Sequence, residues 1–305
     1  MMELRHLRYF VAVAETKSLT LAAKVRLHTS QPSLSRQIRD LEEEVGAQLI
    51  VRRARGVELT PSGGAFLEHS RAVLSQVAAA TEAARRAAHP AKPCFTMGFL
   101  TGHELTWMPE ALRILRDELP NIDVMISSQS SPLLAEGLAQ GKIDAAFLRR
   151  EKGLPGLGFR LLMKEPLMVI LPSDHPLAAL KTVSPRDLVG ETFVAVSNTA
   201  PVLRKIIDDY LKRSGVHITP AHEADHVTMG MSLIVSARGV GLLPAYAQNF
   251  LFSSVTSRPL KGVAPTVDLV LGYRKSNPSS ILKLFLSRLD ELVARVTKNV
   301  QATHF

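Results

Sequence analysis

From Leu4 to Ala14 the apolar residues Leu4, Leu7, Phe10, Val11 and Ala14 recur at helical spacing, which predicts an amphipathic first helix. Ser18 offers a hydroxyl cap to a short second helix carrying Leu19, Ala22, Ala23 and Val25, and the small Ala22-Ala23 pair allows a neighbouring helix to come close. Thr29-Ser30-Gln31-Pro32 reads as a cap and first turn, because proline is tolerated where its missing N–H would be unpaired anyway. A third helix runs through Leu34, Ile38, Leu41 and Val45 to a stop at Gly46, with Ser33, Ser35, Arg36 and Arg39 off its apolar face. Three short helices with tight connections outline a helix-turn-helix. Two β-prone segments, 49–51 and 57–60, flank Arg52-Arg53-Ala54-Arg55-Gly56 and predict a hairpin wing with a basic tip.

From Pro61 the chain is alanine-rich and helical to about residue 88, with Phe66, Val73, Ala80 and Ala87 seven apart and Ser70, Val77 and Ala84 between them. This stripe suits a helix pairing with its own copy, or equally an ordinary packed helix. His89-Pro90-Ala91-Lys92-Pro93 breaks it and reads as a hinge. Beyond, strands at 95–100, 122–127 and 143–148 alternate with helices at 105–119 and 132–140, a βαβαβ run favouring a doubly wound sheet. The pattern continues with strands at 166–171 and 192–196, a helix at 202–213 and a mixed region at 229–243. A strand at 267–273 and a helix at 281–296 close it.

Charge narrows the class of partner. Of the 305 residues, 37 are Lys or Arg and 28 are Asp or Glu, a formal net charge of +9 that favours a polyanion. Cys94 is the only cysteine, which excludes an internal disulfide framework, a CxxC redox pair and a multi-cysteine zinc site. No apolar run approaches the roughly 18 residues of a membrane span, and the first residues alternate charge with apolar groups, so a cytoplasmic chain without membrane contact is expected. Enzyme chemistry lacks its usual signatures: there is no HExxH and no GxSxG, and Gly239-Val240-Gly241 is too short for a dinucleotide fingerprint. No cofactor or metal is implied. A solute-binding protein without a DNA role would account for the second half of the chain but not for the first.

The segment 4–60 closely resembles the winged helix-turn-helix of LysR-type transcriptional regulators. The resemblance is carried by Leu4-Arg5-His6-Leu7-Arg8-Tyr9-Phe10, Ala22-Ala23, Ser30-Gln31-Pro32-Ser33-Leu34-Ser35-Arg36-Gln37-Ile38, Leu41-Glu42, Gly46, Leu49, Arg52, Arg55 and Leu59-Thr60. It extends to Gly141-Lys142-Ile143-Asp144-Ala145-Ala146-Phe147 and Gly239-Val240-Gly241-Leu242-Leu243-Pro244, which are similar to the family's effector-domain signatures. The first part is most similar to the regulators of aromatic-compound catabolism. The resemblance implies a winged helix-turn-helix (1–60), an all-α domain apart from its wing, then a long linker helix and hinge (61–91). It further implies an α/β periplasmic-binding-protein-like effector domain (92–305) of two subdomains, 92–163 with 268–305 and 164–267. The partners implied are double-stranded DNA, a small organic effector, copies of the same chain forming a dimer and then a tetramer, and RNA polymerase.

The recognition helix must turn its first residues to the bases. Gln31 can present both donor and acceptor to adenine, Arg36 can fork onto guanine or reach a phosphate, and Ser30, Ser33 and Ser35 have hydroxyls for phosphate oxygens, with Pro32 on the same first turn. Arg52, Arg53 and Arg55, with no acid between Val51 and Val57, suit the phosphate backbone or minor groove. By matching positions, the effector cleft would draw on Thr101, Gly102, His103, Ser130, Ser131, Arg149, Ser197, Asn198, Thr199 and Thr228, although Arg149 equally suits an ion pair and a lone histidine such as His103 is more often a satisfied surface or core residue than a ligand contact. Two departures from the family matter: Gly102 stands where muconate-responsive members carry a serine, and Lys24-Val25-Arg26 is one residue longer than the usual spacer. The extra residue is expected to lengthen the turn before the recognition helix.

Overall fold

The computed structural model describes residues 2–53, 56–88 and 92–303. The chain divides into two compact units, 1–88 and 89–305.

In the first unit, α1 (Leu4–Thr16), a short α2 (Leu19–Leu21) and α3 (Gln31–Val45) are followed by β1 (Ile50–Arg53), β2 (Gly56–Leu59) and the long α4 (Pro61–Ala88). Phe10, Val13, Leu34, Ile38, Leu41 and Leu49 are fully buried where the helices meet. Phe66 of α4 docks edge-on against Phe10, ring centroids 5.3 Å apart, so the start of α4 belongs to this core. Ser18 caps α2 as expected, accepting from the Leu21 N–H at 3.2 Å.

The extra residue is not in the turn. α2 runs directly into a π-helix, Ala22–Leu27, closed by a bond from the His28 N–H to the Ala23 carbonyl. A π turn is an α turn holding one residue more. The insertion is absorbed by winding, because this keeps Leu27 packed against the same core as Ala22 and Ala23 while Val25 stays exposed.

β1 and β2 pair antiparallel with Ile50 opposite Leu59 and Arg53 opposite Gly56. Their seat on α3 comes from Glu42, whose Oε1 accepts from the Leu49 N–H at 2.7 Å and the Ile50 N–H at 3.0 Å. α4 then crosses β1 so closely that a Cβ at Gly63 would lie 2.0 Å from the Leu49 carbonyl oxygen.

The second unit opens with β3 (Cys94–Leu100), α5 (Glu104–Glu118), β4 (Asp123–Gln129), α6 (Ser131–Ala139) and β5 (Ala145–Leu148). β3 lies between β4 and β5 and is parallel to both. β6 (Leu157–Pro172) continues the chain into a second lobe. That lobe holds β7 (Val194–Val196), α7 (Pro201–Arg213), β8 (His222–Ala224), α8 (Val227–Ser236), β9 (Gly241–Pro244), a 3-10 turn (Ala245–Phe250) and β10 (Val255–Pro259). β11 (Thr266–Arg274) returns to the first lobe, where α9 (Ser280–Ser287) and α10 (Leu289–Thr303) complete the chain.

Trp107, Phe95, Phe99, Phe147 and Phe285 fill the space between this lobe's sheet and α5, α9 and α10. Leu134, Leu138, Ile143 and Leu148 pack α6 onto the other face. The two lobes are joined by long shared strands. Residues 157–166 of β6 pair with β11 in the first lobe, and residues 167–172 pair with β9 and β10 in the second.

Two expectations need correction. The strand read at 166–171 is the second half of β6; its first half, with Arg160 and Lys164 among apolar residues, presents no continuous apolar run. The helix read at 281–296 is two helices broken at Arg288. Phe285, Leu289, Leu292 and Val296 keep helical spacing across that break and all face the core, so the apolar pattern cannot mark it. The region 229–243 resolves into α8 and β9. Among the described residues no helix is long and apolar enough to cross a membrane.

Candidate functional site

In the first unit, Ser30 is the N-cap of α3, its hydroxyl accepting from the Ser33 N–H at 3.3 Å. Pro32, Ser33 and Arg36 are exposed and Gln31 is half-buried on the same end of the helix. Ser35 is different: it is buried, and its hydroxyl accepts from Arg52 Nη2 at 2.6 Å, tying α3 to the hairpin. Arg53 pairs across the hairpin with Glu58 at 3.0 Å, both side chains exposed. Arg55, with Ala54, lies outside the described residues. Behind the helix, His6 Nε2 and Gln37 Oε1 approach to 3.0 Å and fix α3 to α1, so the exposed edge is held from the back.

In the second unit a cavity of about 280 Å³ opens between the lobes. The first lobe supplies Leu100 and Thr101 from the end of β3, Ser130, Ser131 and Leu133 from the start of α6, and Arg149 and Glu151 beyond β5. The second supplies a mostly apolar wall that includes Val194, Val196, Leu203, Ile234 and Leu243, with Asp225, His226 and Tyr246. A helix N-terminus such as that of α6 carries partial positive charge and free N–H groups, which favour an anion. Ser130 is the N-cap residue and makes no side-chain capping bond, while the Ser131 hydroxyl accepts from the Arg149 N–H at 2.9 Å. That bond fixes the end of β5 to the start of α6 and leaves the Ser131 O–H free to donate.

Behind the wall sits a buried charge cluster. Glu165 accepts from Arg149 Nη2 and, at 3.1 Å, from His103 Nε2. Tyr246 covers the group, its ring centroid 3.9 Å from that of His103 and 5.8 Å from the Arg149 guanidinium carbon. Burial holds His103 below its ordinary pKa, outweighing the pull of Glu165 towards the charged form. Burial alone would raise the Glu165 carboxyl, but His103 and Arg149 more than compensate and hold it below the usual carboxylate range. An ionised Glu165 therefore neutralises Arg149. Glu151, half-buried in the cavity wall, is pushed up by desolvation.

Of the residues expected around the cleft, Thr101, Ser130, Ser131, Arg149 and Thr199 line this cavity. His103 stands behind it in the charge cluster. Gly102 has φ +98°, and a Cβ there would meet the Tyr246 and Phe250 rings at 3.0 Å, so aromatic rings occupy the space a serine side chain would need. Ser197 is turned to Asp225 at 2.6 Å, Asn198 is exposed, and Thr228 engages His226 at 2.9 Å; none of these three is in the wall. Glu151, Glu165 and Tyr246 were not foreseen. Glu151 stands between Arg150 and Lys152 in a charged run that reads as solvated, and Glu165 is 16 residues from the arginine it neutralises.

Comparisons with known proteins agree with this architecture. The family model of the bacterial regulatory helix-turn-helix protein, lysR family, matches residues 4–64, and that of the LysR substrate binding domain matches residues 92–294. The Hca operon transcriptional activator HcaR of Escherichia coli (strain K12) is 36% identical over 97% of this chain and 100% of its own. The HTH-type transcriptional regulator BenM of Acinetobacter baylyi is 31% identical over 96% of this chain and 97% of its own. Full-length CbnR in complex with its target DNA superposes with a TM-score of 0.56 at 26% identity, covering 96% of this chain and 100% of that one. With a helix-turn-helix in its first unit and a two-lobed substrate-binding domain in its second, the chain belongs to the LysR family of DNA-binding transcriptional regulators.

Proposed function

We propose that the exposed edge of α3 enters the major groove of operator DNA, with Gln31 and Arg36 reading bases and Ser30 and Ser33 approaching phosphates. Arg52 and Arg53 bring the wing to the backbone, and the Ser35–Arg52 bond sets the wing's angle to the helix rather than adding a DNA contact of its own. A helix-turn-helix that reads two half-sites requires a two-fold partner. α4 supplies it by pairing with its own copy through Val73, exposed in the single chain, and Val77; dimers then pair into a tetramer. The protein works where its DNA is, in the cytoplasm.

The switch is a small organic carboxylate held in the cavity between the lobes. Its acid group lies at the start of α6, between Ser130, Ser131 and Thr101, and within the field of Arg149; its apolar part lies on the second lobe. The observation that carries this reading is one mostly apolar cavity whose first-lobe wall combines a helix N-terminus with a buried arginine. Binding across two lobes favours one lobe arrangement over others, and a ligand shifts an equilibrium by its differential affinity. Val202→Trp, at a half-buried position of the wall, fills the cavity from its rim. Titration calorimetry with an acid that changes operator binding should show binding lost in this variant while operator affinity without the acid persists. Unchanged acid affinity in the folded variant would remove the cavity from the mechanism.

A further inference from the structure

Lys17 ends α1 in the left-handed region, at φ 51° and ψ 25°, and α2 begins two residues later. Glycine takes this conformation freely and asparagine readily, whereas the Cβ of a lysine is crowded against the following carbonyl. Nothing within the chain offsets that cost. The residue is exposed, so its side chain is not packed, and its ammonium has no hydrogen-bond or ion-pair partner among the described residues. By contrast, the exposed Arg5, Arg53 and Arg71 pair with Glu3, Glu58 and Glu15. The wing is built against this lysine. Its carbonyl accepts from the Val57 N–H at 2.9 Å, and Val57 stands opposite Arg52 across the hairpin. Gly56, opposite Arg53, has φ +131° and lets the same carbonyl approach; a Cβ there would lie 2.5 Å from it. β2 is therefore flanked on one edge by β1 with its two arginines and on the other by Lys17, a width of about 10 Å at the usual spacing of neighbouring strands.

We infer that Lys17 is a DNA-backbone contact, its ammonium carrying the cationic surface of the wing across β2 to a further phosphate. This rests on the reading of the wing as facing DNA and extends it to a residue outside the hairpin. A duplex is a dense line of phosphates, and each cation that neutralises one releases a condensed counterion. A free ammonium gains most from that exchange, because it gives up no partner within the chain. The gain falls in the DNA complex, while the backbone strain is present in the free protein as well. Strained backbone kept at a binding surface follows this pattern. Glycine at position 17 would ease the turn and lose the contact.

The test is fluorescence anisotropy of the full-length protein on a random-sequence duplex over a salt series, with amide hydrogen exchange in α1 and α3 reporting the fold. Lys17→Gly should slow that exchange by about fivefold, through relief of the left-handed side chain. The same variant should bind DNA about eightfold more weakly per bound subunit at about 0.1 M salt, and its log-affinity against log-salt slope should be shallower by about 0.9 per subunit. Lys17→Arg should bind as the parent does, and Lys17→Gln, uncharged but of similar length, should match Lys17→Gly on DNA. Should Lys17→Gly exchange faster than the parent, the slopes of Lys17→Gln and Lys17→Arg decide the matter by themselves. Unchanged affinity and slope in Lys17→Gly and Lys17→Gln, or equal weakening in Lys17→Arg, would overturn the inference and leave Lys17 a solvated helix cap. Arg53→Ala separates this outcome from failure of the wing reading. A shallower slope in Arg53→Ala but not in the Lys17 variants removes the inference alone; an unchanged slope in all of them removes the wing contact, and the inference with it.

Discussion

Deleting Val25 should be nearly neutral, although a one-residue deletion within a helix normally throws every later turn out of register with the core. An α-helix turns about 100° per residue, so the five steps from Ala22 to Leu27 would carry Leu27 about 140° off the Ala22 face. The π turn of Ala22–Leu27 takes up that excess and returns Leu27 to the core. With Val25 removed, the same leucine lies four residues beyond Ala22, about 40° away in ordinary α geometry. Val25 is 60% exposed, so little buried surface leaves with it, and the expected change is within about 1 kcal/mol, the scale of most surface changes. Deleting Asp40 from α3 is the contrast. It turns the fully buried Leu41 about 100° out of the core and misplaces Glu42, which seats the wing. Losing a buried leucine alone costs about 2–5 kcal/mol. Amide hydrogen exchange in α3 reads the opening free energy of the first unit in the full-length chain. Equal loss of protection in the two deletions would refute the idea that the π turn houses an insertion.

Gln31→Ala should lower discrimination between an operator and a scrambled duplex by about 1–3 kcal/mol, the worth of a bidentate base contact. Equal weakening on both duplexes in fluorescence anisotropy would contradict a base contact. Gly63→Ala should cost at least about 3 kcal/mol in urea unfolding, since overpacking here presses a methyl group into the Leu49 carbonyl. Gly64→Ala, whose Cβ meets nothing within 4 Å, should stabilise α4 by about 0.5–1 kcal/mol. Acidification probes the charge cluster. His103 has a lowered pKa in the folded state, so the unfolded chain takes up the proton first as pH falls through about 6.5; the stability due to neutral His103 is complete above that value and is lost below it. Glu165, also lowered, adds a loss of the same sign below about 4.3. The second unit's melting temperature should fall between pH 7.5 and 5, and His103→Gln should flatten that fall; an unchanged slope would count against a neutral buried imidazole.

The three helices and wing of the first unit were legible because their determinants act over a few residues. Ser18 and Ser30 each cap the helix that begins after them, Leu34, Ile38 and Leu41 repeat at helical spacing, and Arg52 and Arg53 stand on a β-prone run beside a turn. The alternation of β3, α5, β4, α6 and β5 was legible for the same reason, as was the position of Ser130 and Ser131 at a helix start. Which polar groups meet was not legible. Ser35 looked like a phosphate contact until Arg52, 17 residues away, folded onto it. Arg149 could equally have been a ligand contact or an ion-pair partner, and the structure gives its Nη2 to Glu165 while Nη1 has no partner among the described residues. Val194, Val196, Ile234 and Leu243 read as core apolar residues, and they also wall the cavity because residues from both lobes meet there. Periodicity and capping are written into neighbouring residues and survive in the sequence. Burial, charge pairing and the shape of a cavity depend on elements tens of residues apart arriving at one place, and only the tertiary structure records that arrival.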